Sequence, residues 1–221
     1  VFREVLRACG ALRILLPELD RLFGIPQAAE HHPEIDCGVH TLLVLQQAVK
    51  LSPLPEIRFA ALTHDLGKGL TPPDVLPSHR GHESISRELT AKMAERLRIP
   101  NRFRELAEHV AGQHGLIHRV QRLTAADTLQ VLEATDAFRK PERFEQILLT
   151  CIADSRGRSG HEHDPYPQQQ IWQQLRHACS NINVQNLIQQ GFQGAQIKAE
   201  LHAQRLQVIQ TMQTNLDIGA G

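Results

Sequence analysis

Residues 64 and 65 of this chain are a histidine and an aspartate, and Leu-Gly-Lys-Gly follows them. A helical run beginning at Glu56 leads into the pair, with Phe59, Ala60, Leu62, Thr63 and Leu66 as its apolar stripe and Gly67 as the expected C-cap. Adjacent residues on a helix diverge by about 100°. A long imidazole and a short carboxylate can still reach one ion placed at the helix end. The helix dipole disfavours an aspartate there by about 0.3–1 kcal/mol, so a positive partner is expected. A divalent cation supplies it, and so does Lys68. The dipeptide alone is common by chance.

His40 and Asp136 strengthen the metal reading. His40 falls on a helix over 39–51 that forms an antiparallel hairpin with the next one. Asp136 falls in a helical run whose apolar side carries Leu129, Leu132 and Ala137. An acidic side chain among apolar ones is costly unless it is paired or bound to a cation. The resulting H…HD…D set, His40, His64, Asp65 and Asp136, offers two imidazoles and two carboxylates. Mixed nitrogen and oxygen donors suit Mn2+, Fe2+, Co2+, Ni2+, Mg2+ or Zn2+, and the affinity order favours Ni2+ over Mn2+. A metal so held lowers the pKa of water and polarises a phosphoryl oxygen. His64 and Asp65 are therefore candidate catalytic residues as well as ligands.

Nine of the chain's 13 histidines lie between His31 and His118. His82 opens a helix after Gly81. His109 and His114 are five residues apart, and His114 and His118 fall in an expected loop. Gly112 and Gly115 flank His114 and let the backbone approach a ligand. His82, His109, His114 and Lys68 are the candidates for a second metal or a phosphate, with His79 and His118 as weaker ones. His82 and His114 are candidate catalytic residues, His114 as the general acid. For each of these the plain alternative is a surface or capping histidine. That alternative prevails for His31 and His32, and His161 and His163 read as a solvated loop.

The elements that must position these groups are helical throughout. Helical periodicity marks 5–16, 39–51, 56–66, 82–99, 101–115, 124–138, 141–158, 167–190 and 194–213, with Gly and Pro at the breaks. No period-2 alternation and no internal repeat is present, so the fold class is all-α. The 221 residues carry 24 basic and 24 acidic side chains. No global field draws the chain to nucleic acid, and such contact must come from local patches. Arg139, Lys140, Arg143, Arg156 and Arg158 form a candidate RNA-binding group, or else a solvated face with pairs such as Arg139–Glu142. Cys9, Cys37, Cys151 and Cys179 include no CxxC, which points to a reducing cytoplasm. There is no apolar run of membrane-spanning length and no signal peptide. The chain begins in mid-pattern, like a piece of a longer protein.

His40-Thr41, HDLGKG at 64–69 and Asp136 resemble the HD phosphohydrolase superfamily, helical proteins that bind divalent metal and hydrolyse phosphate esters. The stretches LRACGAL, LLPELDRLFGIPQ, HHPEIDCGVHT, GHE, ATDAFRKPERFEQILLTCIADSRGR and IKAELHAQRLQVI extend the likeness over essentially the whole chain. Together they resemble the C-terminal half of bacterial CCA-adding enzymes, tRNA nucleotidyltransferases that bear an HD domain. That resemblance implies a neck end over 1–30, an HD domain over 31–138 and a tRNA-contacting helical body or tail over 139–221. It implies 2',3'-cyclic phosphodiesterase, 2'-nucleotidase and phosphatase activity, with Ni2+, Mn2+ or Mg2+ at the HD site. The partners implied are tRNA and nucleotides or RNA ends with cyclic phosphate, and the chain would be a monomer or homodimer. The family's nucleotide-adding head, with its Mg2+-binding paired aspartates, has no counterpart here. Asp127 and Asp154 rival Asp136 as fourth ligand, because Asp154 sits in IADSRGR, which resembles the closing aspartate motif of HD proteins. A non-catalytic tRNA-binding body is the alternative function.

Overall fold

The structure is a computed structural model that describes residues 2–218. It is all-α, and among the described residues there is no strand, only an isolated bridge between Pro26 and Asp36. Among the described residues no helix is long and apolar enough to cross a membrane. Packing divides the chain into two compact units, Val1–Gly115 with Glu145–Tyr166, and Leu116–Phe144 with Pro167–Gly221. Neither unit is continuous in sequence, whereas the divisions expected at 30/31 and 138/139 are.

The first unit opens with short helices. Helix α1 (Phe2–Ala8) stops at Gly10, whose φ of 75° is left-handed, so the single helix expected over 5–16 is broken. Helices α2 (Ala11–Leu15) and α3 (Pro17–Asp20) follow. Their Leu12 and Leu19 join Leu22, Cys37, Leu66 and Met93 in one buried cluster. Helix α4 (Cys37–Leu51) begins because the Asp36 carboxylate accepts from the Val39 amide at 2.8 Å. It ends at Ser52, which precedes Pro53 and is biased to extended backbone. Pro55 then starts helix α5 (Pro55–Thr63), a position where its missing N–H costs nothing. Helices α6 (His82–Arg96) and α7 (Asn101–His118) follow the loop.

Helix α8 (Ala125–Ala134) belongs to the second unit, and helix α9 (Pro141–Arg156) brings the chain back to the first. The stretch expected as one helix over 167–190 is two, α10 (Gln168–Ser180) and α11 (Val184–Gln189); α12 (Ala195–Ile218) follows. In the second unit Trp172 is fully buried, donates from Nε1 to the Ile117 carbonyl at 2.9 Å and meets Phe144 edge to face. Burying such a ring requires a partner for its N–H, and a carbonyl left unpaired near the end of α7 provides it.

Candidate metal centre

Helix α5 ends at Thr63, earlier than the expected Gly67, and His64 and Asp65 lie beyond it. Asp65 leaves the helical region at φ −113° and ψ 14°, and a 3-10 turn runs from Leu66 to Leu70. The change of path at the pair turns both side chains into one space. Gly67 is no left-handed cap. A Cβ there would collide with the backbone oxygen of His82 and lie 2.7 Å from the Ser86 amide nitrogen. Its missing side chain lets the turn nest on the start of α6, where Ser86 Oγ accepts from the Gly67 amide at 2.8 Å. Gly157 does the same for α9: a Cβ there would overlap Val44 of α4. Val44 is one turn beyond His40 and Gly157 is close after Asp154, so this contact brings those two side chains together.

The assembled site lies wholly in the first unit. His64 Nε2 is 3.1 Å from Asp65 Oδ2 and 3.5 Å from Asp154 Oδ1, and His40 Nε2 is 3.0 Å from the same Asp154 oxygen. On the other side of Asp65, Oδ1 is 3.0 Å from His82 Nε2 and 3.4 Å from His114 Nε2. Lys68 Nζ touches Asp65 Oδ2 at 2.7 Å and donates to Gln27 Oε1 at 3.0 Å. His40, His64, Asp65 and Lys68 are all buried.

Three of the rings are fixed in one tautomer. His64 Nδ1 donates to the Ala61 carbonyl at 2.8 Å, His82 Nδ1 to the His79 carbonyl at 2.7 Å, and His114 Nδ1 to the Val110 carbonyl at 3.0 Å. With Nδ1–H committed to backbone, the neutral rings present the Nε2 lone pair to the cluster, as metal ligands do. His64 Nε2 and Asp65 Oδ1 are buried without an aligned hydrogen-bond partner, although nitrogen and oxygen atoms crowd within 3.5 Å of each. Groups of this kind are costly unless something satisfies them. A divalent cation fits the donor set. Asp65 contacts the Lys68 ammonium while Asp154 bears on both His64 and Lys68, so with neutral imidazoles the site has positive charge left to be supplied.

The same potential shows in the protonation of the rings. Burial disfavours the His64 imidazolium, but Asp65 and Asp154 outweigh burial and hold its pKa at about 10. Burial likewise opposes charge on His40 and His82, and the neighbouring carboxylates again raise both. For His114 burial prevails and its pKa is lowered. Burial would raise Asp65, but His64 and Lys68 hold it well below the usual carboxylate range.

Several expected site residues fall elsewhere. Asp136 belongs to the second unit, past the end of α8, with φ 56°. Aspartate tolerates that left-handed turn better than most residues, and its carboxylate binds Arg139 at 2.6 Å and Arg143 at 3.5 Å. Turn geometry and those arginines account for its place, and Asp154 is the carboxylate that lies against His40 and His64. Asp127 lies in the first turn of α8, where the N-cap Thr124 hydroxyl accepts from its amide and donates to its carboxylate. His114 is not in a loop: α7 continues through Gly112 and Gly115, and His114 is buried on it. A Cβ on Gly115 would meet the movable end of the Glu83 side chain, Oε1, at 2.6 Å. His109 and His118 lie on α7 outside the groupings of potential ligands. Lys68 is buried and pairs with the Asp65 carboxylate at 2.7 Å. Arg139, Lys140 and Arg143 are in the second unit, while Arg156 and Arg158 in the first donate to the Asp164 and Ser155 carbonyls. Sequence reasoning missed Glu34 and set aside His32, yet Glu34 Oε1 approaches His40 Nδ1 at 2.9 Å and His32 Nδ1 at 3.1 Å. The run HHPEID directly before a ligand-bearing helix is the signal that was available.

Residues 38–132 match the family model described as HD domain. Along nearly all its length the chain also matches the multifunctional CCA proteins. It is 53% identical over 211 residues to that of Thioalkalivibrio sulfidiphilus, covering 96% of this chain and 52% of the relative. It is 50% identical over 212 residues to that of Vibrio cholerae strain O395 and 47% identical over 211 residues to that of Psychromonas ingrahamii, covering 53% and 51% of those relatives. The chain spans about half the length of the curated relatives it matches. No solved structure matches it.

Proposed function

We propose that the chain is the metal-dependent phosphohydrolase part of a CCA-adding tRNA nucleotidyltransferase. The observation that carries this reading is the convergence of His40 Nε2, His64 Nε2, Asp65 and Asp154 in one buried space, with His64 Nε2 and Asp65 Oδ1 lacking aligned partners. These four side chains would hold one divalent cation, and their mixed donors suit Ni2+ or Mn2+ better than Mg2+. A cation bound there supplies Lewis acidity to a phosphoryl group and makes water more acidic.

The chain's own residues do the rest. Lys68 and the backbone carbonyls behind the rings hold the ligands in orientation before substrate arrives. His114, neutral and with its Nδ1–H committed, accepts at Nε2. His82 is more exposed and is held toward its charged form by Asp65. In this reading His82, not His114, gives the proton to the leaving oxygen. The substrates that the family resemblance suggests are 2',3'-cyclic phosphodiesters, 2'-nucleotides and phosphomonoesters, with tRNA as the macromolecular partner. Exposed Arg139 and Lys140 are the candidates for RNA phosphate contact in the second unit.

A second reading has its own support. Asp65, His82 and His114 group as potential ligands, which suits a second ion sharing Asp65. Metal stoichiometry separates the two. The main test is turnover of 2',3'-cyclic AMP and p-nitrophenyl phosphate by the metal-loaded chain, with His64→Ala beside it. Wild-type turnover in purified His64→Ala, or no turnover in either protein, would reject the hydrolase. Retained binding to tRNA lacking its CCA end would then favour the non-catalytic body.

A further inference from the structure

His64, His82 and His114 are each oriented by a backbone carbonyl. His40 is not. The carbonyls one turn before it are engaged, since Cys37 O accepts from Thr41 Oγ1 and Asp36 O accepts from the His40 amide. The group facing His40 Nδ1 is instead the Glu34 carboxylate, at 2.9 Å. The Glu34 side chain is 2% exposed, unusually deep for a glutamate in a loop. Its other contacts explain how it is kept there. Oε1 also meets His32 Nδ1 at 3.1 Å and accepts from Gln27 Nε2 at 3.5 Å, and Oε2 accepts from the Ser159 amide at 3.2 Å. Gln27 in turn receives the Lys68 ammonium that binds Asp65. Ser159 lies five residues after Asp154. Glu34 thus links the segment before α4, the ring of His40 and the chain just beyond α9.

Resting on the metal-centre reading above, we propose that Glu34 is the positioning residue of that centre. It sets the His40 tautomer so that Nε2 faces the cation, and it anchors the segment that follows Asp154. A carboxylate behind a ligand histidine fixes the ring and raises its basicity, and loss of such a partner costs about 10–100-fold in metal affinity. At 2.9 Å the contact with His40 Nδ1 is close but not aligned as a hydrogen bond.

The test is Ni2+ titration calorimetry on the 221-residue chain, with Co2+ visible spectra as a report on the ligand field. Glu34→Gln keeps an accepting oxygen and loses the charge, and it should bind Ni2+ about 10-fold more weakly. Glu34→Ala also loses the orientation; it should bind about 100-fold more weakly and alter the Co2+ bands. A merely structural role would lower the melting temperature and leave the affinity and spectrum of the folded protein unchanged, and that result overturns the proposal. If Glu34→Ala does not fold, Glu34→Gln decides alone. His64→Ala run in parallel separates the two readings. If it binds Ni2+ like wild type, the centre itself is refuted; if it does not, while both Glu34 variants bind normally, only the role of Glu34 is.

Discussion

Asp154 and Asp136 are both preceded by apolar helical sequence, and one substitution at each tests the site. Asp154→Asn removes a charge and keeps the shape. The lost carboxylate lies 3.0 Å from His40 Nε2 and 3.5 Å from His64 Nε2. A unit charge pair about 4 Å apart at an effective dielectric of about 20 is worth about 4 kcal/mol, which is about 10³ in an equilibrium constant at about 1.4 kcal/mol per tenfold. A dication interacts more strongly than an imidazolium, but removing the carboxylate also removes part of the desolvation cost. Asp154→Asn should therefore weaken Ni2+ binding by about 10²–10³-fold and lower phosphatase turnover at fixed metal by a similar factor. Asp136→Asn should do neither, because its carboxylate is engaged with Arg139 and Arg143 in the other unit. Calorimetry with Ni2+ and turnover of p-nitrophenyl phosphate measure both variants, with circular dichroism to show that each is folded. Unchanged affinity in Asp154→Asn, or a loss of this size in Asp136→Asn, would refute the ligand assignment.

The pH dependence of the metal-free chain has a definite sign. The folded pKa of His64 is raised to about 10 from an ordinary 6.5, so its contribution to stability is complete below 6.5 and is lost as pH rises through 10. The melting temperature without metal should fall across that window. Ni2+ takes the place of the imidazole protons, so its apparent affinity should rise over the same range; calorimetry that finds it constant would count against His64 as a ligand. Gly67→Ala drives a Cβ into the His82 backbone oxygen. Overpacking of this kind costs about 1–3 kcal/mol, and at about 2–4 °C per kcal/mol the loss is visible by thermal melt. Ser86→Ala leaves the Gly67 amide without its acceptor and should cost about 1–3 kcal/mol, read in the same melts. His82→Ala should lower turnover by about 10²-fold or more with Ni2+ affinity at the first site little changed, whereas a parallel loss of metal would make His82 a ligand.

The sequence by itself determined the fold class, and it picked out three residues that the structure brings together. Helical periodicity with Pro and Gly at the breaks is a local property, and the starts of α6 and α9 were readable from Gly81 and Pro141. His40, His64 and Asp65 were readable because they come from two successive helices in one hairpin. The fourth carboxylate was not. Asp127, Asp136 and Asp154 all lie on or beside amphipathic helices, and separation along the chain says nothing about which of them returns to the hairpin. Tertiary packing brings Asp154 there through α9, where Gly157 lets the backbone meet Val44 and carries Asp154 to His40. The sequence also placed the end of α5 at Gly67, because a glycine after a periodic run looks like a cap. The actual reason for that glycine is a steric approach from α6, a segment 15 or more residues later. Glu34 and the burial of His114 were hidden for the same reason. Burial is a sum over contacts from distant segments, and an imidazole or carboxylate that reads as solvated in sequence becomes part of the site only when those segments close over it.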